Sequence, residues 1–124
     1  MDDEYAEAVL DLVQAIPAGR VMTYGTIAEV VGDRFAADGG RWRGGPRQVG
    51  QVLSRRGGDV PWWRVVTAAG APPAAHLAAA LTALALEGTP LTAARLRVAV
   101  RAALWWPDDD ATPAGADRSV RGQR

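Results

Sequence analysis

The sequence contains no cysteine, no lysine and only one histidine. Without a thiol the chain can form no disulfide, no thiolate nucleophile and no thiolate metal site. One histidine is too few for the usual zinc sites, so we expect neither a metal nor a cofactor. No apolar run reaches membrane-spanning length, and the acidic start Met1-Asp2-Asp3-Glu4 lacks a signal-peptide core. We therefore expect a cytoplasmic protein with no membrane partner.

The fourteen basic residues are all arginine, and they balance fourteen acidic residues. Their distribution is uneven: residues 1–32 contain six acids and one arginine, whereas residues 33–64 contain seven arginines and three acids. A coding bias explains the missing lysine as well as any function does. The clustering is more informative, because a local basic stripe can bind a phosphate backbone even when the whole chain is neutral.

Apolar spacing predicts two helices in the first third of the chain. The first covers residues 3–16 and is stopped by Pro17 and Gly19. The second begins after Thr23, whose hydroxyl can cap it, and is predicted to end at Gly32.

A loop, two more helices and a tail are predicted for the rest. Residues 33–45 have the glycine and arginine content of a loop, and Pro46 suits the first turn of a third helix that ends at Gly57-Gly58. Within that helix Gly50 costs stability relative to alanine, and close approach of another backbone would explain it. The fourth helix covers 74–87.

Three shorter segments complete the prediction. Residues 60–66 are predicted to be extended, whereas 96–104 fits either a strand or a helix. Trp105-Trp106 is predicted to close the core, which makes 1–106 one domain. Residues 107–124 have the composition of a disordered tail. The fourth helix should bury a stripe of leucines, namely Leu77, Leu81 and Leu84.

The second and third helices together predict a helix-turn-helix. Positions three, four and seven apart share a helix face, so the third helix separates an apolar from a polar side. The polar side carries Arg47, Gln51 and Ser54, and we predict that all three contact DNA. A short strand follows, so the fold class is mostly α or α+β, a small winged helix-turn-helix-like domain.

Several short motifs, in this order and spacing, carry a family resemblance over about residues 5–106. They are Ile16-Pro17, Gly19-Arg20-Val21, Thr23-Tyr24-Gly25, Arg47-Gln48-Val49-Gly50, Val60-Pro61-Trp62-Trp63-Arg64-Val65-Val66 and Glu87-Gly88. The chain resembles the DNA-binding domain of the O6-alkylguanine-DNA alkyltransferases, and more closely the alkyltransferase-like proteins. The enzymes carry Pro-Cys-His-Arg where this chain has Pro61-Trp62-Trp63-Arg64.

The two tryptophans exclude the enzymes' chemistry at this motif. An indole cannot accept an alkyl group by displacement and is a hydrogen-bond donor only. Trp63 in place of histidine also removes the adjacent general base. The resemblance therefore implies a non-catalytic protein, and we expect it to be a monomer associated with the nucleoid. It would bind O6-alkylguanine in duplex DNA from the minor groove, flip the damaged nucleotide, and flag it for nucleotide excision repair proteins.

The resemblance also assigns roles to two residues of the helix-turn-helix. Arg47 would be the arginine finger that replaces the extruded base, because flipping leaves a gap that costs a few kcal/mol; the alternative is an ordinary phosphate-contacting or solvated arginine. Tyr24 would turn the 3′ phosphate and line the lesion pocket, or else be a core tyrosine. Thr23 would contact a phosphate or, more simply, cap the helix.

The lesion pocket is predicted at the tryptophan motif. Adjacent residues of an extended segment point opposite ways, so Trp62 is assigned to the pocket beside the alkyl group and Trp63 to packing. Val65 is predicted to line the same pocket. Arg64 either braces the loop, as in the family, or contacts a phosphate. His76, in the loop 67–76, is predicted to be a surface residue, with a base or phosphate contact as the alternative.

Rival interpretations make different predictions. A winged-helix regulator would prefer one DNA sequence and bind paired half-sites as a dimer. A degenerate domain that contacts only proteins would not bind DNA. Arg41-Trp42-Arg43, in the long loop, would add phosphate contacts or belong to a mobile insertion.

Overall fold

The computed structural model describes residues 3–37, 39 and 44–107. Its helices are α1 (Asp3–Ala15), α2 (Tyr24–Ala37), α3 (Pro46–Arg56), α4 (Leu77–Leu86) and α5 (Val100–Ala103). Its strands are β1 (Met22–Thr23) and β2 (Val65–Val66), and 3-10 turns lie at Gly57–Asp59, Trp62–Arg64 and Ala74–His76. The predicted class, mostly helical with a small sheet, is confirmed. Across the described ranges, no helix combines the length and apolarity needed to cross a membrane.

The larger core lies between α1, α2 and α3. Apolar residues at helical spacing on α1, including Val9 and Val13, are fully buried against Ile27 and Val31 of α2. Trp105 closes this core at 4 % exposure, as predicted. A smaller cluster of buried residues joins the sheet to α4 and to the segment that follows it: Val21, Val66, Leu84, Val98 and Ala103.

The sheet brings two loops to one edge. β1 and β2 are parallel, with Met22 paired to Val65 and Thr23 paired to Val66. Because the carboxyl ends of parallel strands lie at the same edge, Tyr24 and Thr67, the next residues along the chain, are placed there together.

Capping residues, prolines and glycines predicted most helix boundaries correctly, but α2 is longer than predicted. It continues through Gly32 to Ala37. Gly32 is buried in the helix, so packing there offsets the roughly 1 kcal/mol that an interior glycine costs. The loop prediction for 33–45 is therefore wrong for residues 33–37. Residues 38 and 40–43, including Arg41-Trp42-Arg43, and the predicted tail beyond residue 107 lie outside the described residues.

Three further predictions need correction or completion. Residues 60–66 are not extended throughout, because a 3-10 turn at Trp62–Arg64 precedes β2. Leu77 does not belong to the buried stripe of α4, since it is 42 % exposed while Leu84 is fully buried. The undecided segment 96–104 forms one short helix, α5, after an isolated bridge between Leu91 and Val98.

Candidate nucleic-acid interface

Two adjoining cavities open beside the start of α2, and Tyr24 and Gly50 line both. The first, here called the tryptophan cavity, has a volume of about 350 Å³. It is lined by Tyr24, Gly50, Leu53, Ser54, Gly57, Gly58, Trp62, Pro73, Ala75 and His76. The second, the arginine cavity, is lined by Thr23, Tyr24, Gly25, Pro46, Arg47, Gly50, Thr67 and Ala68. The volume of the tryptophan cavity falls within the range of about 300–1,000 Å³ typical of small-molecule sites.

Trp62 forms an aromatic wall of the tryptophan cavity. It is half-buried, and its ring meets that of Trp63 edge to face, with centroids 5.6 Å apart and planes at 84°. The ring of His76 also lies near Trp62, with centroids 5.5 Å apart and planes at 57°. This arrangement places the two tryptophans as predicted: Trp62 lines the cavity, and Trp63 packs on the smaller core.

A carboxylate clamp fixes the turn that carries Trp62. Glu87, just after α4, accepts hydrogen bonds from Trp63 Nε1 (3.1 Å), Arg64 Nε (3.0 Å) and Arg64 Nη2 (2.5 Å). Both side chains of the ion pair are only 16 % exposed. Arg64 Nη1 also donates to the carbonyl of Ile16 at 2.7 Å. Burial raises the pKa of Glu87, but the hydrogen bonds from Arg64 and Trp63 and the charge of Arg64 outweigh it and leave the pKa lowered.

Arg64 braces the turn in this structure. Each of its three guanidinium nitrogens already donates to Glu87 or Ile16. The structure supports the brace, because three of the five guanidinium N–H groups donate to Glu87 or Ile16. Sequence spacing could not reveal this, because Arg64 and Glu87 are 23 positions apart.

Tyr24 stands between the two cavities as the first residue of α2. Burial raises the pKa of its hydroxyl, so the group stays neutral and can donate a hydrogen bond. Thr23 precedes it and caps α2: the backbone N–H of Thr26 donates to Thr23 Oγ1 at 3.0 Å. Since Thr23 is 7 % exposed, the structure favours capping over a phosphate contact.

The polar side of α3 faces solvent as predicted. Arg47 is exposed in the first turn and lines the arginine cavity, while Ser54 is exposed further along and lines the tryptophan cavity. Gln51 is exposed but lines neither cavity. Gly50 lies under Tyr24, where an added Cβ would be 4.0 Å from the ring. The close neighbour of this glycine is thus a side chain and not the backbone we expected.

Val65 does not line the pocket, contrary to the prediction. It is fully buried in the larger core, where β2 pairs it with Met22. Val65 is three residues from Trp62, so alternation along an extended segment would itself place the two on opposite faces, and β2 turns Val65 toward the core. His76 has the opposite outcome: it is exposed, as predicted, but it also lines the cavity beside Trp62.

Comparisons with known proteins agree with this arrangement. Residues 4–89 match the family model of the 6-O-methylguanine DNA methyltransferase, DNA binding domain. Over 67 residues the chain is 42 % identical to the DNA base-flipping protein of Escherichia coli K12, covering 52 % of this chain and 45 % of that protein. Over 70 residues it is 40 % identical to alkyltransferase-like protein 1 of Schizosaccharomyces pombe, covering 55 % and 56 %. The chain thus spans about half the length of the curated relatives it matches.

Solved structures extend the similarity to most of the fold. The crystal structure of S. pombe Atl1 in complex with damaged DNA containing O6-carboxymethylguanine superposes with a TM-score of 0.68 at 29 % identity. The match covers 86 % of this chain and 99 % of that one. A structure of S. pombe ATL in complex with DNA gives a TM-score of 0.65 at the same identity and coverage.

Proposed function

Because the chain belongs to the family of 6-O-methylguanine DNA methyltransferase DNA-binding domains, as an alkyltransferase-like member, we propose that it recognises damaged duplex DNA without repairing it. The ligand we propose is O6-alkylguanine, bound from the minor groove and flipped out of the stack. The observation that carries this proposal is Trp62, a half-buried indole facing a cavity of about 350 Å³ at the motif position where the enzymes carry cysteine.

The tryptophan cavity suits an extruded base. Stacking of a base on an aromatic side chain contributes about 1–3 kcal/mol, which offsets much of the few kcal/mol that unstacking and unpairing cost. Trp62 supplies the flat surface, and Leu53 and Pro73 supply further apolar lining that an alkyl substituent can contact. An alkylated guanine pairs poorly and is cheaper to extrude than an intact one, which gives the cavity a source of selectivity.

Arg47 is placed to fill the gap that extrusion leaves. It lies in the first turn of α3, exposed, in the cavity that adjoins the tryptophan cavity across Tyr24. A planar, permanently charged guanidinium can enter a base stack and hydrogen-bond the orphaned partner. Tyr24, with a neutral hydroxyl, lies between the two and would turn the phosphate of the flipped nucleotide.

No alkyl transfer accompanies binding in this proposal. A transfer needs a nucleophile, and the sequence contains no cysteine. Trp63 cannot act as a base, because its N–H donates to Glu87 and an indole accepts no proton at this nitrogen. The lesion would stay intact on the protein, so its removal is assigned to nucleotide excision repair proteins. We further propose that the protein acts as a cytoplasmic monomer at the nucleoid.

A binding titration tests the proposal. At one stated salt concentration, the protein should bind a duplex with a single O6-methylguanine roughly 10- to 100-fold more tightly than the matching undamaged duplex. Arg47→Ala should remove most of that ratio. Arg55→Ala, which removes the same charge from the same exposed helix, is the matched control and should keep it.

Two results would contradict the proposal. Equal affinities of the wild-type protein for the two duplexes would remove lesion recognition altogether. If Arg55→Ala lowered the ratio of damaged to undamaged affinity as much as Arg47→Ala does, the effect of Arg47 would come from its positive charge alone and not from its position. A strong preference for one undamaged sequence would instead favour a winged-helix regulator.

A further inference from the structure

A short hairpin lies beyond the family match, which ends at residue 89. Leu91 and Val98 form an antiparallel bridge, and the N–H of Thr92 donates to the carbonyl of Arg97 at 2.9 Å. A tight turn closes it, with Arg95 N–H donating to Thr92 O at 2.8 Å. The hairpin presents Arg95-Leu96-Arg97, here called the hairpin tip, and all three residues are exposed.

The chemistry of the hairpin tip is that of an unpaired cationic surface. Residues 88–107 include three arginines and no acid. Within the part of the chain that the structure describes, neither Arg95 nor Arg97 has a side-chain hydrogen bond or an ion pair, whereas Arg56 and Arg64 are both paired with carboxylates. Between them Leu96 is 62 % exposed, among the most exposed large apolar side chains of the described residues.

The backbone at the hairpin tip is strained. Arg95 has φ 60°, and it is the one non-glycine residue with a positive φ among the described residues. The left-handed conformation costs a side-chain-bearing residue roughly 1–2 kcal/mol, which glycine would avoid. Strain of this kind concentrates at binding sites, which makes Arg95 a candidate for a ligand contact.

The base of the hairpin lies at the edge of the sheet that carries Tyr24. The turn after β2 spans Thr67 to Ala71, and Thr67 lines the arginine cavity beside Tyr24. In the same turn the carbonyl of Gly70 accepts a hydrogen bond from Val98 N–H at 2.8 Å. A side chain at Gly70 would collide with Val98, so the hairpin is held closely against this turn.

Two contacts locate the ends of the segment that follows the hairpin. Val98 is held by Gly70 in the turn after β2, at the carboxyl edge, whereas Leu104 bridges to Val21, just before β1, at the opposite edge. The hairpin tip, which ends one residue before Val98, is therefore joined to the fold at the carboxyl edge, the edge that carries Tyr24.

We propose that the hairpin tip is a second DNA contact that does not read the lesion. Arg95 and Arg97 bind phosphates of the duplex beside the flipped nucleotide, and Leu96 lies against the sugars between them. Phosphate contacts fix the register of a protein on a duplex without reading its sequence, and apolar side chains flanked by arginine suit the minor groove. The inference rests on the proposed function, since it assumes that DNA is the ligand of this edge.

Salt-dependent titration of the full chain tests the proposal with a double substitution, Arg95→Gly with Arg97→Ala. Glycine removes the charge and also suits the positive φ, so the fold is spared. Each phosphate contact contributes about 0.9 to the slope of log K against log salt, so the slope should fall by about 1–2. Affinity near 0.1 M salt should fall about 10- to 100-fold, equally for damaged and undamaged duplexes, and leave their ratio unchanged.

Two control variants isolate the contact. Arg101→Ala removes one exposed charge from α5, outside the hairpin, and should leave the slope nearly unchanged. Arg95→Lys with Arg97→Lys keeps both charges and should restore most of the affinity.

The outcomes separate this proposal from the proposed function. An unchanged slope and affinity in the double variant would overturn the hairpin contact, as would an equal loss from Arg101→Ala, while lesion preference stood. If the wild-type protein bound both duplexes equally, the proposed function would fail, yet the contribution of the hairpin tip to both affinities would remain measurable.

Discussion

Replacing Glu87 with glutamine should destabilise this protein far more than its single-atom change suggests. The carboxylate of Glu87 accepts three hydrogen bonds, one from Trp63 and two from Arg64. Glutamine offers one oxygen and one NH₂ group, and in either orientation the NH₂ group would face a donor on Arg64. The substitution thus removes at least one charge-assisted bond and leaves the Arg64 charge, 16 % exposed, without a counterion.

The magnitude follows from these losses. A hydrogen bond to a charged group contributes about 1.5–3 kcal/mol, and removing one partner of a buried ion pair costs about 3–5 kcal/mol. Because the pair retains some solvent contact, we expect Glu87→Gln to lower the free energy of unfolding by about 2–4 kcal/mol. For a domain of this size that corresponds to roughly 10–25 °C in the midpoint of thermal unfolding.

Urea unfolding at neutral pH measures this loss, with Glu7→Gln as the matched control. Glu7 pairs with Arg56 at 2.7 Å, but that pair is exposed: the side chain of Glu7 is 62 % accessible and that of Arg56 is 38 % accessible. An exposed ion pair contributes at most about 1 kcal/mol. If Glu87→Gln and Glu7→Gln lowered the free energy of unfolding by amounts that agree within about 0.5 kcal/mol, Glu87 would not be what holds the turn carrying Trp62 in place.

The pH dependence of Glu87 and substitutions of Val65 and Trp62 give three more tests. The lowered pKa of Glu87 means that its contribution to stability is complete above the ordinary carboxyl pKa of 4.5 and is lost as the pH falls through the lowered value. The difference in unfolding free energy between wild type and Glu87→Gln should therefore shrink as the pH falls below 4.5, and a constant difference would contradict this. Val65→Ala should cost about 1–3 kcal/mol of stability and leave lesion preference intact, because Val65 is core. Trp62→Ala should abolish lesion preference. Unfolding and DNA binding measured on both variants test this, and a loss of lesion preference in Val65→Ala with its retention in Trp62→Ala would contradict it.

Local chemistry made much of the fold predictable. Thr23 before α2 and Pro46 at the start of α3 are capping and first-turn signals that act within a few residues, and both helices begin where those signals place them. The same logic failed at Gly32, whose burial within α2 is a tertiary effect. Similarly, Leu77 has the spacing of a buried residue, but its exposure depends on what lies opposite α4.

The site was only partly predictable because contacts between residues far apart in the sequence also determine it. Motif order placed Tyr24, Arg47 and Trp62 around neighbouring cavities, but it could not reveal that Arg64 is held by Glu87. Val65 was misassigned because nearness to Trp62 along the chain does not show that β2 packs this residue into the larger core. The roles of Arg47 and Tyr24 on DNA stay predictions.

A crystal structure of the full chain with a duplex containing one O6-methylguanine tests the central claim most directly. The account predicts the modified guanine outside the helix, in the tryptophan cavity with its ring against Trp62, and the Arg47 guanidinium in the vacated position of the stack. A lesion still paired and stacked within the duplex, with the tryptophan cavity facing away from the DNA, would contradict it.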